Sequence, residues 1–261
     1  LQSLARVAVR SWALDNWDMS SQAVLRFLSY RDFIYTPIIA GLVWIMAALF
    51  VWRVRLAFPQ TEWALLALAF YLATVIEALV LLKLLRVFFP IREGIFTPDQ
   101  HPHEIYRWNL YGFLCLFHLN GLFLARVLPS PLQGVFYRLM GAKIGAGAII
   151  SGELTDPHLV EIGENTILGQ GAQLSSHAII RIGSEMALVI RKIRVDSNVI
   201  VGGRTLIFPG ARVGSGAMVN AMSLVGMGVE VGADEFWSGA PATFVRRLSA
   251  IQRSDAKGTR P

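Results

Sequence analysis

From Val195 to Trp237 an apolar residue recurs at every sixth position: Val195, Val201, Ile207, Val213, Val219, Val225, Val231 and Trp237. Four residues after each of the first five stands something compact, Val199, Thr205, Ala211, Ala217 and Ser223, and the positions between are rich in Gly, Asn, Ser and Asp. A helix of 3.6 residues per turn drifts out of such a register, and a half-buried strand alternates with period 2. A six-residue period predicts a parallel β-helix, in which each unit is one short strand and one turn, three units close a coil, and coils stack about 4.8 Å apart. Only the stack then has a core, a ladder of inward Val and Ile.

An upstream array keeps the same spacing at Ile144, Ile150, Asp156, Ile162, Leu168, Leu174 and Ile180, with Asp156 the one polar member. Ala148, Val160, Thr166, Ala172 and Ala178 are the small or slender residues four further on. Asp156, at an inward register position, is either turned out by Pro157 to orient a histidine or buried with a partner, since a buried carboxylate must be paired. The fifteen residues from Ile180 to Val195 are not a multiple of six, so the register slips and a loop is expected over 181–194. It carries Arg191, Lys192 and Arg194, candidate substrate-binding residues if the loop lies on the binding side, or a solvated basic face otherwise.

The first half is different in kind. The run 33–52 holds no charge and 63–82 only Glu77. At a helical rise of about 1.5 Å per residue, a run of that length reaches the roughly 30 Å of a bilayer core. Two transmembrane helices are expected. The intervening loop carries Arg53 and Arg55, against Arg6, Arg10, Arg26 and Arg31 before and Lys83, Arg86 and Arg92 after. Both ends therefore belong on the cytoplasmic side. Residues 1–32, with Trp12, Trp17 and four arginines, suit an amphipathic segment on the membrane surface. The run Trp108–Leu124 is short and holds His118 and Asn120, so 83–140 reads as an interfacial or re-entrant connector, ending in a short helix from Ser130 to Met140. The solenoid occupies 141–247 and a tail 248–261. The chain begins at Leu1 without Met, which leaves room for an upstream domain. At 54% hydrophobic and 16% charged, with mean hydropathy +0.50, the chain is too apolar for an ordinary soluble protein. Its net charge of +6 favours an anionic membrane surface over nucleic acid, because no basic patch interleaves with aromatics in the solenoid. The one cysteine, Cys115, excludes an intrachain disulfide and reads as a buried thiol rather than a nucleophile.

His158 and His177 are the histidines of the solenoid half, in units one coil apart, which predicts neighbouring positions at one corner. A histidine at an exposed turn is suited to take a proton from an alcohol or amine. Spacing alone leaves a turn-capping role open. The run from Leu139-Met140-Gly141-Ala142-Lys143-Ile144-Gly145 through Asp156-Pro157-His158 to Leu174-Ser175-Ser176-His177 resembles the hexapeptide-repeat acyltransferases, all-β left-handed parallel β-helices. More narrowly it is similar to the membrane-associated β-helix segments in the C-terminal region of poly-lysine-synthetase-type peptide synthetases and of capsule or colanic-acid acetyltransferases. The resemblance covers roughly 83–248.

The resemblance implies that His177 is the general base and that the subunits form a homotrimer; an acidic residue is usual where His158 stands, which leaves open whether His158 assists catalysis, binds acceptor or is incidental, and Asp156 is the third catalytic candidate. It implies further that the Trp237-Ser238-Gly239-Ala240-Pro241-Ala242 exit, with Gly226, Gly239, Ala240, Arg246 and Arg247, contacts coenzyme A. The co-substrate expected is acetyl-coenzyme A or another acyl thioester, with no bound cofactor or metal. The expected reaction is acyl transfer to a hydroxyl or amine of a membrane-associated acceptor at the bacterial inner membrane, with the solenoid in the cytoplasm. Rival readings are an amide-forming domain using an aminoacyl carrier-protein thioester, a non-catalytic trimeric scaffold, and a γ-type carbonic anhydrase, which would need three histidine ligands where the solenoid has two.

Overall fold

The computed structural model describes residues 27–115, 119, 128–183 and 185–248. Helix α1 (Tyr30–Ala57) opens where Asp32 Oδ2 accepts hydrogen bonds from the Ser29 N–H and Oγ, 2.7 Å each. This reciprocal cap satisfies donors that the first turn leaves free. Helix α2 (Trp63–Phe88) packs against it. Both outlast the expected spans of 33–52 and 63–82, because Tyr30 to Asp32 and Lys83 to Arg86 continue the helices through polar flanks. Each is long and apolar enough to cross a bilayer, and each leaves large side chains such as Phe33, Trp44, Leu72 and Ile76 exposed. Most of the expected surface segment 1–32 lies outside the described residues.

After α2 come β1 (Gly94–Phe96), α3 (Pro102–Leu114) and α4 (Ser130–Met140). Leu110, Tyr111 and Leu114 lie on one face of α3 by helical spacing, and all three are buried. The described part of the 108–124 run therefore packs an inward face into the protein. Helix α4 ends at Gly141, whose φ is +111°. Glycine adopts that region without steric cost.

Residues 143–231 then wind through three parallel sheets, one strand in each per coil. The first coil is β2 (Lys143–Ile144), β3 (Ile149–Ile150) and β4 (Glu153–Leu154); the second is β5 (Val160–Ile162), β6 (Ile167–Leu168) and β7 (Gln173–Leu174). After an excursion, β8 (His177–Ile182) and β9 (Glu185–Ile190), the path resumes with β10 (Ile193–Val195), β11 (Ile200–Val201), β12 (Leu206–Ile207), β13 (Arg212–Val213), β14 (Met218–Val219), β15 (Leu224–Val225) and β16 (Glu230–Val231). Strands β2, β5, β10, β13 and β16 pair in parallel in one sheet, β3, β6, β11 and β14 in the next, β4, β7, β12 and β15 in the third. Ile150, Ile162, Leu168, Leu174, Val195, Val201, Ile207, Val213, Val219, Val225 and Val231 are all buried, as the spacing predicts. Most compact residues four positions on are buried too, Ala148 and Ala178 being only part-buried, and Thr166 and Thr205 donate their hydroxyls to the backbone carbonyls of Asp196 and Asn220 at 2.7 and 2.9 Å. A buried hydroxyl needs such a partner. The Gly and Asn enrichment has a conformational cause. Gly147, Asn165, Asn198, Gly216 and Asp234 occupy one recurring corner, each with φ between +52° and +70°. Glycine and asparagine enter that left-handed region more easily than other residues.

Two departures from the expected register matter for the site. The third rung of the first coil is Leu154, which pairs beside Leu174, and not Asp156. A ladder flanked by Leu174 and Ile207 takes a leucine in preference to a carboxylate, and Asp156 falls at the corner two residues later. The expected loop 181–194 begins earlier, at His177, and is an antiparallel hairpin of β8 and β9, to which β1 adds a third strand. Ile180 accordingly leaves the inner ladder for the hairpin. The hairpin is spliced between whole coils, so β10 still pairs with β5.

One hydrophobic core runs through both halves. Val75, Ala78 and Leu82 of α2 and Tyr137 and Met140 of α4 belong to the same buried cluster as Ile150, Leu154 and the ladder above them. At the far end β17 (Glu235–Gly239) continues the second sheet and folds back as an antiparallel hairpin with β18 (Ala242–Arg247).

Candidate active site

The corner after Leu154 and the start of the hairpin bring an acid and a base together. Asp156 precedes a single helical turn, Pro157–Leu159, in which the Leu159 N–H donates to the Asp156 carbonyl at 2.9 Å. His177 opens β8, with Ser175 Oγ donating to its carbonyl at 2.8 Å. Its Nδ1 lies 2.6 Å from Asp156 Oδ2. The carboxylate is buried, with 3% of its side chain exposed against 26% for the imidazole. Burial alone would raise the Asp156 carboxyl, but the hydrogen bond and charge of His177 outweigh it and hold the acid below its ordinary range. The Thr155 hydroxyl, 3.2 Å from the same oxygen, adds to this. With Nδ1–H directed at a carboxylate, the imidazole presents Nε2 as a lone-pair acceptor. His177 thus sits half-buried at a strand start, not at an exposed turn as expected, because the hairpin begins at this residue.

Helix α3 supplies what spacing along the solenoid could not reveal. Trp108 meets the His177 ring edge-on, with centroids 4.7 Å apart and planes at 63°. Tyr111, one turn on, tilts against the His158 ring at 4.9 Å. Residues three apart on a helix share a face, and edge-on contact is a favoured arrangement of two rings. Asp156 feels both histidines. Both ring nitrogens of His158 are buried without a hydrogen-bond partner, and burial pushes its pKa down to about 4. Arg86, in the last turn of α2, lies across Gly141 beside His158, where a Cβ at Gly141 would collide with the guanidinium. Burial pushes the Tyr111 phenol and the Cys115 thiol up to about 12 each, so both stay protonated at neutral pH. Trp108, Tyr111 and Cys115 share the i, i+3, i+7 spacing of one helix face, the signal that could have found them as a group. Nothing local in the sequence marks Arg86.

The remaining candidates lie elsewhere on the framework. Arg191 follows Ile190, the pairing partner of His177, and its N–H donates to the Ser176 carbonyl at 2.9 Å. Lys192 is tied to Glu93, whose Oε2 accepts from its N–H at 3.0 Å, and Arg194 pairs with Glu161 at 3.3 Å on the outer face of the first sheet. Gly226 is in the turn after β15, Gly239 ends β17 and Ala240 follows in the β17–β18 turn, and the Gly239 N–H donates to Ser223 Oγ at 3.2 Å. Arg246 lies over the Phe236 ring at 5.6 Å and Arg247 is 3.9 Å from Glu235, so these arginines are not part of the His177 cluster. Among the described residues no three His, Cys, Asp or Glu side chains converge as a metal site.

The depressed His158 gives the fold an acid limit. In the folded chain this imidazole stays neutral down to about pH 4, whereas an unfolded histidine takes its proton near 6.5, so the stability it permits is fully present above 6.5 and is lost as pH falls toward 4. The loss is about 3 kcal/mol by linkage. His158→Phe should flatten this part of the stability-against-pH curve measured by chemical denaturation in detergent; an unchanged slope between pH 6.5 and 4 would contradict a neutral buried His158.

No protein-family model matches the chain. It is 29% identical over 130 residues to the "Putative acetyltransferase YvoF" of Bacillus subtilis, a match covering 48% of this chain and 70% of that protein. It is 27% identical over 157 residues to the delta-poly-L-ornithine synthetase of Acinetobacter baumannii, covering 57% of this chain but only 11% of the synthetase. Among solved structures, a hexapeptide-repeat acetyltransferase of Vibrio cholerae complexed with acetyl-coenzyme A matches 49% of this chain and 84% of its own, at 18% identity and a TM-score of 0.38. The proteins to which this chain is similar are, in the main, acetyltransferases of the hexapeptide-repeat kind.

Proposed function

We propose that this chain is a membrane-bound acetyltransferase that moves the acetyl group of acetyl-coenzyme A to a hydroxyl or amine of a membrane-associated acceptor, with His177 as general base and Asp156 as its orienting partner. The observation that carries this reading is the 2.6 Å contact between His177 Nδ1 and a buried Asp156 carboxylate. In the reaction Nε2 takes the acceptor proton as the acceptor oxygen or nitrogen attacks the thioester carbonyl. The tetrahedral adduct then expels the coenzyme A sulfur, which receives the proton from the imidazolium. The carboxylate stabilises the imidazolium between the two steps. The name of the Bacillus relative is consistent with acetyl as the group transferred.

The solenoid is read as left-handed and homotrimeric. Its second sheet supports subunit packing: the outward residues Ile149, Ile167 and Ile200 are 47, 40 and 43% exposed and stand in register with Met218 and Phe236. The first sheet instead turns Lys143, Glu161, Arg194, Arg212 and Glu230 outward, a charged ladder suited to water. Coenzyme A is assigned to the Gly226, Gly239, Ala240, Arg246 and Arg247 end, and Arg191, Lys192 and Arg194 to acceptor contacts. The two apolar helices and the distribution of basic residues about them support a bacterial inner-membrane address with the solenoid cytoplasmic. The match to a poly-ornithine synthetase favours one second reading, amide formation from a carrier-protein aminoacyl thioester.

Vesicles test function and orientation together. Isotopically labelled acetyl-coenzyme A supplied to inside-out vesicles containing the protein should label a membrane extract component, detected by mass spectrometry, while right-side-out vesicles stay unlabelled. Labelling confined to right-side-out vesicles would reverse the orientation, and labelling only from an aminoacyl carrier protein would replace acetyl transfer by amide formation.

A further inference from the structure

Four buried polar atoms without a hydrogen-bond partner come from three side chains gathered round the His177–Asp156 pair: Arg86 Nε, Trp108 Nε1, and His158 Nδ1 and Nε2. Folded interiors leave few such atoms, since each loses its water without replacement, so a cluster of them calls for a ligand. The group is rich in donors. Arg86 brings a permanent charge, Trp108 an indole N–H, His158 one N–H, and Tyr111 a hydroxyl held by a long hydrogen bond of 3.4 Å to the Phe89 carbonyl. Acceptors are fewer, because the Asp156 carboxylate is already taken by His177 and Thr155, which leaves chiefly the second nitrogen of His158. Arg86 forms no ion pair among the described residues. A donor cluster around an unpaired guanidinium is complementary to an oxyanion.

Position selects which one. Arg86 is two residues from the end of α2, a helix read here as spanning the bilayer, so its guanidinium lies where that helix leaves the apolar layer. Phosphate is the oxyanion that lipids carry at that depth. The geometry points to a phosphate site formed by Arg86, Trp108, Tyr111 and His158, which holds the phosphate of a membrane-borne acceptor beside the His177 imidazole. This deepens the acetyl-transfer reading and rests on it for the role of the bound molecule, whereas the site itself is read by binding.

The test uses the full chain in detergent, first saturated with coenzyme A so that donor phosphates cannot account for the signal. Inorganic phosphate and glycerol 3-phosphate, titrated calorimetrically, should each bind once per chain and glycerol should not. Arg86→Gln should weaken phosphate at least tenfold and Trp108→Phe, which keeps the ring but removes the N–H, by a few-fold. If Arg86→Gln does not fold, Arg86→Lys, which keeps the charge and loses the Nε donor, should still bind several-fold more weakly. Nanodiscs containing phosphatidic acid should compete with phosphate where pure phosphatidylcholine discs do not. Phosphate binding unaffected at Arg86, or abolished by coenzyme A, overturns the site as an acceptor site; competition by neither lipid overturns its membrane source. Because no turnover is measured, a chain that binds phosphate but transfers no acetyl group would refute the enzymatic reading and leave the site standing.

Discussion

His177→Asn is expected to lower kcat for acetyl transfer by about 10² to 10⁴-fold while leaving the melting temperature close to that of the parent. Asparagine is the informative replacement because its side-chain N–H₂ reaches roughly where Nδ1 stands and can still donate to Asp156. Alanine would strand a carboxylate that is 3% exposed, and the resulting loss of stability would be confused with loss of chemistry. Single-turnover rates with acetyl-coenzyme A, alongside thermal unfolding of both proteins, check the claim. Retention of more than about a tenth of the parent rate would show that another group takes the proton.

Val213→Asp is the structural counterpart. Val213 is 1% exposed and paired in register with Val195 on one side and Val231 on the other, so the new carboxylate has neither water nor a polar partner. The cost of burying it is several kcal/mol, a large part of the stability of a domain this size. The variant should aggregate or fail to accumulate, as seen by size-exclusion chromatography. Arg212→Asp, one residue earlier on the outer face, should behave like the parent, and a soluble Val213→Asp protein would mean that the inner ladder is assigned to the wrong residues.

Much of the solenoid was legible in the sequence because its constraint is local and repeated: one inward residue every six, a compact one four later, and a left-handed corner. The rule fails where geometry, not spacing, decides. Leu154 displaces Asp156 from the ladder because the first coil shortens one side by two residues before the turn at Pro157, and no count of six anticipates that. The hairpin was visible only as a slip of register between Ile180 and Val195; that it is strand, and that it starts at His177, depends on pairing with Gly94–Phe96 far earlier in the chain. Asp156 could be named as a residue that orients a histidine, but which histidine it meets is set by the stacking of two coils. Trp108, Tyr111 and Arg86 belong to elements whose own patterns speak only of helices. What brings them to the histidines is the packing of α4 on the first coil and of α2 and α3 into the same buried cluster, a tertiary event that short-range periodicity does not encode.

That packing ties the two apolar helices to the histidine pair. A stack of coils must be terminated at both ends, or its last rung lies open and invites another copy to continue it. Here α4 lies against β2 and β3 of the first coil, and Val75, Ala78 and Leu82 of α2 belong to the same buried cluster. Trimming the chain to its repeats would uncover Ile150 and Leu154 at an open end of the stack. Under the proposed membrane-spanning role of α2, one helix both contributes to the closed end of the stack and anchors it, so the anchor could not be lost without a replacement for the stopper.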